Sequence, residues 1–234
     1  SKNGGGLLTE AVRIAGLFLS EGNVVATQNS RQELDALPDT DATVDYAGPL
    51  VVLTSRLSAS ASEIVAGALQ DYRRGLIVGS DHTFGKGTVQ ALMDLPAGLG
   101  AIKVTTGMFF IPGGASTQYR GVPADVVLQS IFSTKDVGEI VLDYSLQPKS
   151  IAPFLSGEAN SSTEQSKHWD VVTPDLVKQL KTLSSARVDK NVEFNKIKQE
   201  LAQEGILVEG WGGNISIQEV SSQKGEGINE LLEL

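Results

Sequence analysis

Cysteine is absent from the 234 residues, and that absence excludes disulfides, thiolate metal sites and a cysteine nucleophile. It leaves the compartment open, because exported chains without cysteine also exist. Histidine is nearly absent as well, with only His82 and His168, so an Asp-His-Ser relay has few possible members. Aromatic residues make up 6% of the chain, and Trp169 and Trp211 read as packing anchors rather than ligand platforms. Basic charge is in deficit: 19 Lys and Arg stand against 28 Asp and Glu, for a net charge of -9. Without a basic run there is no electrostatic footprint for a phosphate backbone, and nucleic acid drops out as an expected partner. No apolar run approaches the roughly 20 residues of a membrane-spanning helix, and the opening SKNGGG lacks the apolar centre and cleavage pattern of a secretion signal.

What is present is a chain long enough to bury one core with a smaller appendage. After Gly6, Leu8, Val12, Ala15 and Leu19 fall at helical spacing. Residues 23–27 and 43–46 suggest short strands, and PLVVLTS, residues 49–55, suggests a strand buried on both faces. It leads into LSASASEIVAGALQDY, residues 57–72, in which Ile64, Val65, Ala68, Leu69 and Tyr72 mark one helical face. The next apolar run, LIVG, completes a strand, helix, strand crossover of the kind found in parallel α/β sheets, which place ligands at the carboxyl ends of their strands. Past residue 90 the pattern turns to β, with a strand expected over 101–110 and an extended VPADVVL. Helical spacing is expected over 137–146, 174–184 and 189–203, around the polar stretch GEANSSTEQSK. The expected division is a core over residues 1–130 and a mainly helical extension over 131–234.

Two stretches carry chemistry. Ser58, Ser60 and Ser62 alternate ahead of the helix, and Ser60 with Glu63 matches the S-x-x-E capping box. The same helix start presents first-turn amides that favour negative charge, so cap and nucleophile both remain open. TFGKGTVQ, residues 83–90, sets Lys86 between two glycines. It fails the G-x-x-x-x-G-K-[ST] phosphate loop twice: Gly79 and Gly85 enclose five residues, and Gly87 stands where a hydroxyl is needed. His82 is a weaker candidate base, and Ser221 with Lys224 forms an S-x-x-K spacing without an apolar helix.

In order, NGGGLL, GPLVVLTSRLSASASEIVAGALQDY, TFGKGTVQ and GGASTQYRGVPAD resemble the carboxyl-terminal processing peptidases, a Ser/Lys family, and especially its tail-specific protease branch of the bacterial periplasm. The resemblance implies an α/β, crotonase- or Clp-protease-like superhelical core. It implies Ser60 as nucleophile, Lys86 as general base, Gln90 positioning the lysine, and the amides of Gly6 and Ala61 as the oxyanion hole. It implies a serine endopeptidase acting on unstructured polypeptide carboxyl termini through an acyl-enzyme, with no metal, ATP or other cofactor, and with an adaptor protein or a homo-oligomer as possible association. The family carries a PDZ module and further strands ahead of the NGGG motif, so the chain is expected to be a carboxyl-terminal portion. It commonly has a shorter loop before Thr83 than the SDH seen here. A noncatalytic scaffold that binds partners is the other class of function. One constraint comes from geometry alone: in a straight strand Lys86 and Gln90 lie about 13 Å apart, so direct contact needs a bend, for which Gly87 is suited.

Overall fold

A computed structural model of the chain describes residues 2–96, 98–128, 136–156, 169–190 and 196. The chain divides into two compact units, Ser1–Val177 and Lys178–Leu234. Within the first, helix α1 spans Leu8–Gly16 and turns Ala11 and Ala15 inward, as the spacing predicts. Strand β1 (Gly22–Asn29) pairs antiparallel with β2 (Leu34–Asp39). Asn29 makes this hairpin: its Oδ1 accepts the amides of Arg31 and Glu33 at 2.9 and 3.1 Å, an Asx-type turn.

Strand β2 is absent from the sequence reading because it contains Pro38 and two aspartates. A proline is tolerated there because β2 lies at the edge of its sheet. Residues 43–46, expected to be a strand, instead fold back so that the amides of Asp45 and Tyr46 both donate to the Leu17 carbonyl.

Strand β3 (Val51–Thr54), helix α2 (Ala61–Asp71) and strand β4 (Leu76–Gly79) form the expected parallel crossover, extended by the short parallel strand β7 (Val126–Val127). Strands β5 (Thr88–Asp94) and β6 (Ala101–Phe110) join β1 and β2 in a second, antiparallel sheet ordered β2-β1-β6-β5. The fold is mixed α/β. One expectation for β3 fails: Val51 and Leu53, which share one face of the strand, are 54% and 64% exposed, so β3, at the edge of the sheet β3-β4-β7, is covered on one face only.

The core gathers Leu19, Val24, Val25, Ile64, Leu69 and Phe109 between α1, α2 and the antiparallel sheet, each full burial contributing roughly 1.5–3 kcal/mol. Arg74 is 1% exposed in this core. Its guanidinium donates to the carbonyls of Phe18 and Tyr46 at 2.9 and 2.6 Å and lies 5.4 Å from the ring centroid of Trp169, which supports the reading of that tryptophan as a packing anchor.

The helix expected over 137–146 is only a 3-10 turn, Glu139–Val141. Gly138 at φ 151° and Tyr144 at φ 60° interrupt it, and the Glu139 amide donates to the Phe84 carbonyl at 2.9 Å instead of starting a longer helix. Helix α3 spans Pro174–Asp189, the expected 174–184 segment extended by about a turn. Of the expected helix over 189–203 only residues 189, 190 and 196 are described, and the residues GEANSSTEQSK, His168, Trp211, Ser221 and Lys224 lie outside the described residues. Among the described residues no helix is long and apolar enough to cross a membrane.

Candidate active site

The alternating serines resolve into three different environments. Ser58 is buried, and its Oγ accepts the Ser55 amide at 3.1 Å. The Ser62 hydroxyl lies 2.8 Å from the Asn3 carbonyl and 2.9 Å from that of Ala59. Ser60 stands between them at φ 60° and ψ -120°, a conformation that costs a non-glycine residue about 1–3 kcal/mol and clusters at functional sites. The small residues Ala59 and Ala61 on either side suit so sharp a strand-to-helix turn.

The NGGG segment is fastened to this turn. The Asn3 carbonyl accepts the Ala59 amide at 2.9 Å as well as facing Ser62, and Asn3 Oδ1 accepts the Gly5 amide at 3.1 Å. Gly5, at φ 91°, approaches so closely that an added Cβ would lie 2.6 Å from the Ala59 carbonyl oxygen and 2.7 Å from the Ala61 nitrogen. Among the described residues neither the Ala61 amide nor the Gly6 amide donates a hydrogen bond within the protein. Gly6 and Ala61 both line a cleft of about 250 Å³ whose other walls include Leu7, Ile14, Val52 and Val65.

Lys86 is brought to the same region by the loop before β5. That loop is tied down by the Phe84 amide, which donates to the Ser58 carbonyl at 2.9 Å, and by the Gly85 carbonyl, which accepts the Tyr119 amide at 2.9 Å. The Lys86 amine is half-buried, and loss of hydration pulls its pKa below the ordinary lysine value. The Lys103 cation pushes the same way, while the carboxylates of Glu139 and Glu63 oppose it. Its Nζ donates to the Thr88 carbonyl at 3.2 Å; no hydrogen bond joins it to Ser60 or Gln90.

Gln90 is exposed on β5. The register of β5 against β6 shifts between Val89 and Gln90, with Thr106 of β6 as the extra residue, and the Gly87 amide is engaged by Gln118 Oε1 at 2.9 Å. His82 is directed elsewhere: its Nδ1 donates to the Thr83 carbonyl at 2.5 Å, and its Nε2 lies 3.7 Å from Asp81. Asp81, within the SDH loop, receives a two-pronged ion pair from Arg56 at 2.8 and 2.7 Å.

The residue whose full part the sequence conceals is Glu63. Its backward bond to the Ser60 amide, 2.7 Å, is the carboxylate half of the capping box, and the S-x-x-E spacing signals that half. The other half of its environment is tertiary. The carboxylate also accepts from the Thr83 hydroxyl at 2.5 Å and from the amides of Gly85 and Lys86 at 2.7 and 2.9 Å. Burial pushes this carboxyl up to about 7, against the four hydrogen bonds that favour its charged form.

Comparison with known proteins places these residues in a family. The model of peptidase family S41 matches residues 1–128. The tail-specific protease of Haemophilus influenzae is 39% identical over 207 residues, covering 86% of this chain and 28% of that protein. The carboxy-terminal-processing protease of Bartonella bacilliformis is 37% identical over 161 residues, 68% of this chain and 36% of that protein. Among solved structures, the photosystem II D1 C-terminal processing protease is similar with a TM-score of 0.50 and 35% identity over 58% of this chain and 38% of that one. The chain thus spans roughly a third of the length of these relatives. With the match reaching from the NGGG segment through the serine turn and the lysine loop, the chain belongs to peptidase family S41.

Proposed function

We propose that the protein containing this chain is a serine endopeptidase that cleaves near the carboxyl termini of polypeptides, with Ser60 as nucleophile and Lys86 as general base. The observation that carries the reading is the strained Ser60 turn, with the Ala61 and Gly6 amides unengaged beside it. In the proposed reaction the Lys86 amine leaves the Thr88 carbonyl by side-chain rotation and takes the Ser60 Oγ proton as Oγ attacks the scissile carbonyl carbon. The electron pair of the carbonyl moves to its oxygen, which receives the Ala61 and Gly6 N–H groups; such a donor contributes about 3 kcal/mol. The Lys86 ammonium then protonates the departing amide nitrogen, the C–N bond breaks, and an acyl-Ser60 ester remains. Water, deprotonated by Lys86, hydrolyses that ester and restores Ser60. Partial desolvation of the amine favours the neutral form that the first step needs. Gln90 is proposed to steady Lys86 once the amine has moved.

The finer reading follows the motif resemblance: a crotonase- or Clp-like superhelical core over residues 1–130, a helical extension over 131–234 to which α3 belongs, a periplasmic site of action, unstructured carboxyl termini as substrates, and adaptor or self-association. The test is fluorophosphonate labelling of the full-length protein, with Ser60→Ala and Lys86→Ala alongside. Labelling at Ser60 that both substitutions remove supports the peptidase. Absence of labelling in the folded full-length protein favours a noncatalytic scaffold that binds polypeptides.

A further inference from the structure

Nucleophile and base sit on separate loops, at the start of α2 and ahead of β5, and a fold that brings two loops together must also fix their mutual register. Side-chain contact does not do this here, since Lys86 Nζ rests on the Thr88 carbonyl. Beside the backbone bond from Phe84 to Ser58, the two reacting residues themselves are joined at one atom. Glu63 Oε2 accepts the Ser60 amide at 2.7 Å and the Lys86 amide at 2.9 Å, while Oε1 accepts Thr83 Oγ1 and the Gly85 amide at 2.5 and 2.7 Å. The side chain is completely buried, and a helix cap alone requires only one of these four bonds.

We propose that Glu63 is a positioning residue of the reaction, its Oε2 holding the Ser60 turn and the Lys86 loop in catalytic register. The proposal rests on the Ser60/Lys86 reading. Only a carboxylate meets the demand, because all four partners donate. In glutamine one of the two oxygens becomes an NH2 group facing N–H or O–H donors, so one loop is repelled. A displacement near 1 Å between reacting groups costs on the order of 100-fold in rate. The carboxylate has a second effect through charge. Lys86 is faced by Glu63, Glu139 and Lys103, and removing the Glu63 charge leaves the amine easier to deprotonate.

The test is Glu63→Gln in the full-length protein, assayed on a fluorogenic unfolded polypeptide across pH, with Ser60→Ala and Lys86→Ala as controls. The expected result is kcat down by about 100-fold with KM changed less than about threefold, and the acid limb of the pH profile moved to lower pH. A folded Glu63→Gln protein with kcat within about fivefold of wild type overturns the proposal. So does a loss of rate with the acid limb unmoved, which marks a merely structural residue. If Glu63→Gln does not fold, Glu63→Asp is read instead. It keeps the charge but withdraws the oxygens by one methylene, so kcat should fall with the acid limb in place, and full activity refutes the proposal. Activity surviving in Lys86→Ala or Ser60→Ala sinks the underlying Ser/Lys reading, whereas inactive controls beside an active Glu63→Gln sink this proposal alone.

Discussion

Replacing Gly5 with alanine tests how tightly the NGGG segment must lie on the serine turn. The added methyl would sit 2.6 Å from the Ala59 carbonyl oxygen, 2.7 Å from the Ala61 nitrogen and 2.9 Å from Ser60 Cβ. All three are parts of the turn itself, so no flexible side-chain end can yield. Reaching an ordinary contact near 3.4 Å requires the segment to withdraw by about 0.8 Å. The backbone also carries φ 91°, which costs a non-glycine residue about 1–3 kcal/mol. Withdrawal moves the Gly6 amide away from that of Ala61, and a shift of this size in a catalytic array is worth about 100-fold, or close to 3 kcal/mol of barrier. In the full-length protein, Gly5→Ala should lower both polypeptide hydrolysis and the rate of fluorophosphonate labelling by about that factor while thermal denaturation still shows a cooperative fold. Gly4→Ala is the control, since a Cβ there meets nothing within 4 Å, and should behave as wild type. A folded Gly5→Ala protein within about fivefold of wild-type rate would refute the idea that close seating matters.

Lys86→Ala should abolish turnover, with circular dichroism and melting temperature close to wild type because, among the described residues, the removed amine makes a single hydrogen bond, to the Thr88 carbonyl; undiminished hydrolysis would end the lysine-base mechanism. Arg74→Met should lower the free energy of unfolding by about 2 kcal/mol in urea titration, since it removes the hydrogen bonds to the part-buried carbonyls of Phe18 and Tyr46 and takes the cation from Trp169. The raised Glu63 pKa, from an ordinary 4.5 to about 7, means that the folded state holds this proton more tightly than the unfolded one. The resulting stability is complete below pH 4.5 and is lost as pH rises through about 7, up to about 3 kcal/mol; the drop should vanish from the urea-derived pH profile of Glu63→Gln.

The elements legible in the sequence are those whose local signals agree with their tertiary setting. The face of Ile64, Ala68 and Leu69 gives α2, and the β-branched runs flanking it give β3 and β4. Strand β2 escapes because its turn depends on one asparagine side chain and its proline is admissible only at an edge. Exposure of Val51 and Leu53 escapes because composition reports that a strand is apolar, not how many neighbours it has. The helical spacing over 137–146 predicts a helix, yet the bond from Glu139 to Phe84 and the backbone of Tyr144 decide otherwise. At the site, motif order brought out Ser60, Lys86, Gly6 and Ala61, and the structure sets Gly6 and Ala61 around one cleft. The close approach of Gly5 and three of the four bonds to Glu63 are contacts between distant segments, and no spacing rule encodes them.

The solvent-facing flank of β3 has a practical consequence. Among the described residues β4 is its one strand neighbour, which leaves the other edge of β3 without a partner strand, beside two bare aliphatic side chains, Val51 and Leu53. Such a border is a ready seat for any extended chain, including another molecule's copy of the same strand. Handled in isolation at high concentration, this polypeptide should pair through that border and lose solubility, and a charged residue in place of Leu53 is the substitution that should keep preparations dispersed.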